Sequence, residues 1–261
     1  MITYHYDGTF EGLLTVMATA MAQNDEVNEI TAQDDWQPDL FTELRHLETN
    51  PTTAEEFFTK CKKQFSKPVV LDIGKCFLSE ESGIEKVLLD FIRLLFAYGE
   101  PIACNLANPT VMRVRKTSDQ VSYEILRMQG FVRFRKLPNQ YYYAAIEPDH
   151  NIVQFLAPHF TARFADQLWL IHDVKRQSGI CYNRERCLFI PQVAINPDII
   201  SASRSNSFGE AHNLFAAEEY GYQQLWNQYF QEIAILERIN PKLQRKNMPA
   251  RYWSYLVEQV R

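Results

Sequence analysis

Residues 131–176 read FVRFRKLPNQYYYAAIEPDHNIVQFLAPHFTARFADQLWLIHDVKR, and the fold depends on where that run changes period. Phe131–Leu137 alternates apolar and polar, Pro138-Asn139 is a turn signal, and Tyr141–Ile146 alternates again, which predicts a β-hairpin. Ile152, Leu156, Phe160 and Phe164 then recur every four residues, the buried stripe of a helix. Pro158 lies inside that helix and must kink it or begin a new one. Leu168–Val174 and Gly179–Tyr182 read as a second antiparallel pair.

On the N-terminal side the signal is mainly helical. Ile2–Tyr6 is a short strand, Asp7-Gly8 a turn, and Thr9 a cap for a helix over Phe10–Ala22. Residues 23–53 are acidic and turn-rich, punctuated by Trp36, Pro38 and Pro51, with a short helix expected around Asp39–Leu47. Thr53 and Glu56 have capping-box spacing ahead of Phe57, Cys61 and Phe65. Val70–Leu78 reads as either strand or helix, with helix preferred. Val87, Phe91, Leu94, Leu95 and Tyr98 form a stripe that stops at Gly99 and Pro101. Pro109 opens a further helix, with Val111, Val114 and Val121 as core contacts, running towards Met128 and stopping at Gly130.

On the C-terminal side residues 188–213 look irregular. A long helix is expected over Phe215–Ile239, with Tyr222, Trp226, Phe230 and Ile233 on one face and Asn240-Pro241 as its end. Met248-Pro249 opens a last helix, Ala250–Val260. The expected class is α+β: an antiparallel sheet flanked by helices, behind a largely helical N-terminal half. Residues 1–128 form the mainly helical region, whose N-terminal strand joins the sheet. Residues 129–261 carry the polar cluster. The two regions could also be one integrated domain.

The chain has 261 residues, 46% of them apolar, enough for one sizeable core or two small ones. No run of ~18 apolar residues exists to span a membrane, and MITYHYDGTF lacks the pattern of a signal peptide. Cys61, Cys76, Cys104, Cys181 and Cys187 form no C-x-x-C pair, which argues for reduced thiols, a cytoplasmic location and no cysteine-held zinc. The net charge of −5 is uneven. Residues 1–60 hold twelve acids against Arg45 and Lys60, whereas residues 112–136 carry +5 and residues 237–261 carry +4. Those two clusters suit either a confined phosphate-binding surface or a solvated face.

As strand residues, Arg133 and Arg135 project in parallel, about 7 Å apart along the strand, a spacing that suits adjacent phosphates; the alternative is pairing with Glu147 or other sheet neighbours. Glu147, Asp149 and His150 leave a strand and enter a helix, where catalytic groups often lie, although Asp149 could simply cap. His159 and Arg163 share a helical face. Asp173 at a strand end could pair with either of them. Glu147, His150, His159 and Asp173 are therefore the catalytic candidates, and Arg133, Arg135, Arg163 and Arg251 the nucleic-acid contacts. Arg251 lies beside Tyr252 and Trp253, aromatics that could stack on bases or pack in the core. Glu147, Asp149, His150, His159 and Asp173 contain enough ligands for a divalent metal, but their spacing matches no known metal signature, and no P-loop, G-x-G-x-x-G or G-x-S-x-G occurs, so neither metal nor cofactor is the first expectation.

Several blocks resemble a bacterial family described as DNA-metabolism or DNA-repair proteins, built on a domain of unknown function. They are Tyr6-Asp7-Gly8-Thr9-Phe10-Glu11-Gly12, Gly130-Phe131-Val132-Arg133-Phe134, Ile146-Glu147-Pro148-Asp149-His150, Pro158-His159-Phe160 with Arg163-Phe164, and Trp169-Leu170-Ile171 with Asp173. Glu237-Arg238, Asn240-Pro241, Met248-Pro249 and Arg251-Tyr252-Trp253 continue the match near the end. The resemblance implies a radical-SAM DNA-repair partner, and in some members a fused uracil-DNA-glycosylase-like domain, which is not expected here because the sequence stops at Arg261. No cysteine triad for an iron–sulfur cluster is present, so radical chemistry would fall to the partner.

Three functions stay open on the residues. The first is a DNA-repair accessory that binds DNA. The second is a hydrolase or nuclease, metal-assisted or not, using Glu147, His150, His159 and Asp173. The third is a non-catalytic scaffold docked through the acidic first sixty residues.

Overall fold

The computed structural model describes residues 2–32, 43–205, 214–233 and 235–259. The chain divides into two units, Met1–Ser122 and Tyr123–Arg261. The division falls inside the helix Pro109–Phe131, a little before the expected boundary at residue 128. Helices and strands are mixed, as an α+β chain requires. No helix among the described residues is long and apolar enough to cross a membrane.

The first unit is built on three parallel strands, β1 (Ile2–His5), β2 (Val27–Thr31) and β3 (Glu43–His46), in the order β2-β1-β3. Strand β1 therefore does not join the sheet of the second half, as its sequence suggested; it is the centre of a sheet of its own. Parallel neighbours need a crossover, and α1 (Phe10–Ala22) supplies it between β1 and β2. Thr9 caps α1 by accepting from the Gly12 N–H at 2.9 Å. Residues 43–46 are strand where a short helix over Asp39–Leu47 was expected, and residues 39–42 lie outside the described residues.

Four helices complete this unit: α2 (Pro51–Gln64), α3 (Lys67–Phe77), α4 (Ile84–Tyr98) and the first part of α5 (Pro109–Phe131). The cap of α2 is Asn50, which accepts from Thr53 N at 3.1 Å, rather than Thr53 itself. Proline favours the first helical position, so Pro51 moves the start forward by three residues. The helical reading of Val70–Leu78 agrees with α3. In α4 the buried stripe is Ile84, Leu88, Phe91, Ile92 and Leu95, and Tyr98 at its end is exposed.

The second unit carries a five-stranded sheet, β4 (Arg135–Lys136), β5 (Tyr142–Ile146), β6 (Trp169–Asp173), β7 (Ser178–Tyr182) and β8 (Cys187–Ile190), in chain order. It is mixed, not antiparallel throughout. Pairs β4–β5, β6–β7 and β7–β8 are antiparallel, but β5 and β6 are parallel, with Ala144 opposite Ile171. The cause is α6 (Val153–Arg163), a crossover helix that returns the chain to the same direction. Pro158 sits inside α6 without ending it. The carbonyl deprived of a donor belongs to Gln154, four residues earlier and exposed, so water can satisfy it.

The expected strand over Phe131–Leu137 shrinks to two residues because α5 continues to Phe131. Arg133 ends that helix: its Nη1 donates to the Gly130 carbonyl at 2.6 Å, a cation on the last-turn carbonyls. Beyond β8, α7 (Pro197–Ser205) forms within the stretch expected to be irregular, and α8 (Glu219–Glu232) is shorter than the helix expected over Phe215–Ile239. Asn240 does not terminate a helix but caps α9 (Pro241–Asn247), accepting from Leu243 N at 3.0 Å. A 3-10 helix, Ala250–Tyr255, replaces most of the last expected helix.

Candidate functional site

The four catalytic candidates occupy separate surroundings in the second unit. Glu147, just past β5, accepts from Tyr255 Oη and Arg204 Nη2, both at 2.8 Å. Asp173, at the end of β6, is fully buried. It caps its own turn through Lys175 N and Arg176 N and takes the Arg176 guanidinium at 2.9 Å. Burial pushes its carboxyl up although Arg176 opposes this. Arg176 also donates to the Pro148 and Asp149 carbonyls, so Asp173 anchors the loop after β5. His150 lies on that loop and faces Glu124 of α5. His159 lies on α6, its ring edge-on to Phe160 at 4.8 Å.

Glu124 is the acid that the sequence reading left unassigned. It follows the buried Val121 by three residues and precedes the buried Met128 by four, so α5 points it inward. A buried carboxylate needs donors, and Glu124 collects four: Asp149 N at 2.8 Å, His150 N at 3.0 Å, His150 Nδ1 at 2.5 Å, and the hydroxyl of Tyr252. Burial alone would raise its carboxyl, but His150, Tyr252 and the two amides outweigh it and hold the group at about 2. The signal for this residue was an acid on a helix's apolar stripe.

Of the nucleic-acid candidates, Arg135 is 2% exposed and too deep to reach a phosphate. Burial lowers its guanidinium to about 10, with Glu219 and Tyr143 opposing. Arg133 and Arg135 are therefore not a parallel pair on a strand face. Arg133 forks onto Glu258, Nε at 3.2 Å and Nη2 at 2.5 Å, and lies over the Trp226 ring. Arg251 pairs with Asp149 at 2.5 Å. Arg163 makes no ion pair or hydrogen bond among the described residues, and its guanidinium lies over the Phe164 ring, 5.7 Å from the centroid.

Arg163 and His159 instead meet in a cavity of about 810 Å³, walled by residues of α5, β4, α6 and α8 and by the segment around Val257. Phe134, Phe164, Tyr222 and Trp226 supply aromatic surface, and Arg133 and Lys136 add positive charge. Lys136 is tied to Glu218 at 2.6 Å. The buried polar members are Glu219 and Gln223 of α8, beside the buried apolar Val132, Phe160 and Val257. Sequence reasoning found His159 and Arg163 through their helical spacing, but missed Glu219, Gln223 and the apposition of α8 to α6. Among the described residues no three His, Cys, Asp or Glu side chains gather in a group able to hold a metal ion.

Residues 82–258 match the model of a family described as Domain of unknown function (DUF4130), and the chain belongs to that family. No curated protein matches it.

Proposed function

We propose that this family member is a DNA-metabolism or DNA-repair protein that takes a base of single-stranded or opened DNA into the cavity between α6 and α8. The observation that carries the reading is the cavity itself, where aromatic walls meet a cation, Arg163, that no carboxylate neutralises among the described residues. Proteins that hold unpaired nucleotides combine aromatic stacking surfaces with cations that follow the backbone, and a volume near 800 Å³ is in the usual range for ligand pockets. In this reading Arg163 contacts phosphate, His159 adds a second polar group one turn away, and Arg133 holds the wall in place. The resemblance of the sequence blocks to DNA-metabolism proteins supports DNA as the ligand. It also supports a radical-SAM partner, which would carry the redox chemistry.

The test is the affinity of a single-stranded oligonucleotide, measured by fluorescence anisotropy across a salt series. Binding should weaken as salt rises, and Arg163→Ala should reduce it roughly tenfold, the scale of one charge-assisted contact. Absence of binding at low salt, or an unchanged affinity in Arg163→Ala, would refute the reading.

A hydrolase reading rests on a different observation. Glu124 engages Nδ1 of His150 at 2.5 Å, the arrangement by which a carboxylate orients a histidine base. It requires nuclease activity that disappears in His150→Ala, and activity surviving that change would remove it.

A further inference from the structure

We infer that the strand whose base enters this cavity continues over the exposed face of α5 and is held by α9, with Lys242, Arg245 and Lys246 as its phosphate contacts; the inference rests on the nucleic-acid reading above. The stretch from Arg238 to Arg251 contains five cations and no Asp or Glu. Of the five, Arg251 is already tied to Asp149. Asn240 caps α9 and Pro241 opens it, which puts Lys242, Arg245 and Lys246 at i, i+3 and i+4 on one helical face. All three are exposed, and none pairs with a carboxylate among the described residues. Helices owe most of their stability to packing, yet α9 has no buried residue. It lies open to a partner that covers it.

The surface between the cavity and α9 fits a nucleic-acid strand better than an acidic protein segment. Leu126 of α5 lines the cavity. One residue further on, Arg127 donates from Nη2 to the Lys246 carbonyl at 2.9 Å, so α5 joins the lip of the cavity to the end of α9. Arg127 also lies over the Tyr123 ring, 4.2 Å from its centroid. Tyr123, Leu126 and Arg127 share a face of α5, on which Tyr123 is 51% and Leu126 64% exposed. An aromatic and apolar surface that ends in unpaired cations suits a single strand, with bases against the rings and phosphates against the charges. A purely acidic peptide would pair with the cations but leave Tyr123 and Leu126 uncovered. The C-terminal basic cluster is thus divided: Arg251 holds the loop after β5 through Asp149, and α9 holds the ligand.

The experiment follows a labelled single-stranded oligothymidylate by fluorescence anisotropy across a salt series, with thermal unfolding run beside it. It uses the full chain as wild type, as Arg163→Ala, and as the triple variant Lys242→Ala, Arg245→Ala, Lys246→Ala. Alanine is the strongest helix former, and the Lys246 carbonyl remains for Arg127, so the triple variant keeps α9. It should lower the salt slope by about 2, three single-strand phosphate contacts at ~0.7 each, and weaken binding at low salt by roughly tenfold or more. If the triple variant does not fold, Lys242→Gln alone should lower the slope by about 0.7, and an unchanged slope there overturns the inference. An unchanged slope and affinity in a folded triple variant, while Arg163→Ala still weakens binding, overturns the α9 contact and leaves the DNA reading standing. A loss of affinity without a change of slope also overturns it, because phosphate contacts carry the salt dependence. Polyglutamate should compete poorly; competition as strong as that of unlabelled oligothymidylate at equal charge would assign α9 to an acidic protein and overturn the inference. If the wild type does not bind the oligonucleotide, both readings fall.

Discussion

The Glu124 carboxylate and the His150 imidazole meet at 2.5 Å across 26 residues of chain. The contact joins the middle of α5 to the loop that leaves β5, and Tyr252 closes it from the C-terminal segment. The loop that sequence reasoning marked as a strand-end site is thus held in place by an acid from another element. Its consequences for stability are direct.

Glu124→Gln should destabilise the chain at neutral pH by on the order of 3 kcal/mol. The folded state holds this carboxyl at about 2 against an ordinary 4.5. A depressed folded value contributes stability that is fully present above the unfolded value and is lost as pH falls from 4.5 towards 2. Urea unfolding at several pH values should show a wild-type acid limb in that window and a shallower one in Glu124→Gln. Parallel curves would remove Glu124 as the source.

Arg133→Ala should cost about 3 kcal/mol, because it leaves the Glu258 side chain, 1% exposed, without its guanidinium. Trp226 Nε1 would remain as a donor to Glu258. Arg133→Ala with Glu258→Ala should cost less than the two separate losses added together, by about 1–3 kcal/mol. Strict additivity in denaturant unfolding would mean that the fork contributes nothing.

Arg163→Ala should behave in the opposite way. Stability should change by less than about 0.5 kcal/mol, while the salt dependence of oligonucleotide binding should become shallower by about 0.7, one phosphate contact to a single strand. A stability loss comparable to that of Arg133→Ala would assign Arg163 to the scaffold instead of the ligand.

Two glycines in helices should respond with opposite sign to alanine. At Gly12 an added Cβ would lie 2.2 Å from Asp7 Oδ1 and 2.8 Å from Thr49 Oγ1. Both atoms are already engaged, since Asp7 Oδ1 accepts from the Thr9 hydroxyl and Thr49 Oγ1 donates to Asp7 Oδ2. Gly12→Ala should therefore lower stability by about 1–3 kcal/mol. At Gly74, within α3, nothing lies within 4 Å of the added atom, and Gly74→Ala should raise stability by about 0.5–1 kcal/mol. Thermal unfolding of the pair decides both.

Local signals carried further along this chain than global ones. Thr9 as the cap of α1, the helix over Val70–Leu78 and the β4–β5 hairpin depend on near neighbours, and each is present in the structure. The partner of β1 depends on residues 27–46, whose short acidic strands have no strong period, so the sequence did not reveal a separate parallel sheet. The direction of β6 was readable: a helix between two adjacent strands implies a parallel pair. At the site, His159 and Arg163 were visible because helical spacing alone relates them. The Arg133–Arg135 parity failed because a helix C-terminus replaced the first half of the strand, which put one guanidinium on Glu258 and the other in the interior. Gln223 had no legible signal. Its place at the cavity arises from the approach of α8 to β4, which only the tertiary fold brings about.

Arg133–Glu258 and Glu124–Tyr252 each close a span of more than a hundred residues, 125 and 128 respectively. Loop-closure entropy must be met before such contacts give any return. On a ribosome adding ~5–20 residues per second, the end of α5 would wait on the order of ten seconds for these partners to be made. During that interval Glu124 lacks Tyr252 and Arg133 lacks Glu258, and the second unit is open to chaperones and proteases. Its assembly is therefore gated by residues 252–258, and a ribosome stalled shortly before them would hold a chain whose local helices have formed but whose cavity has not closed.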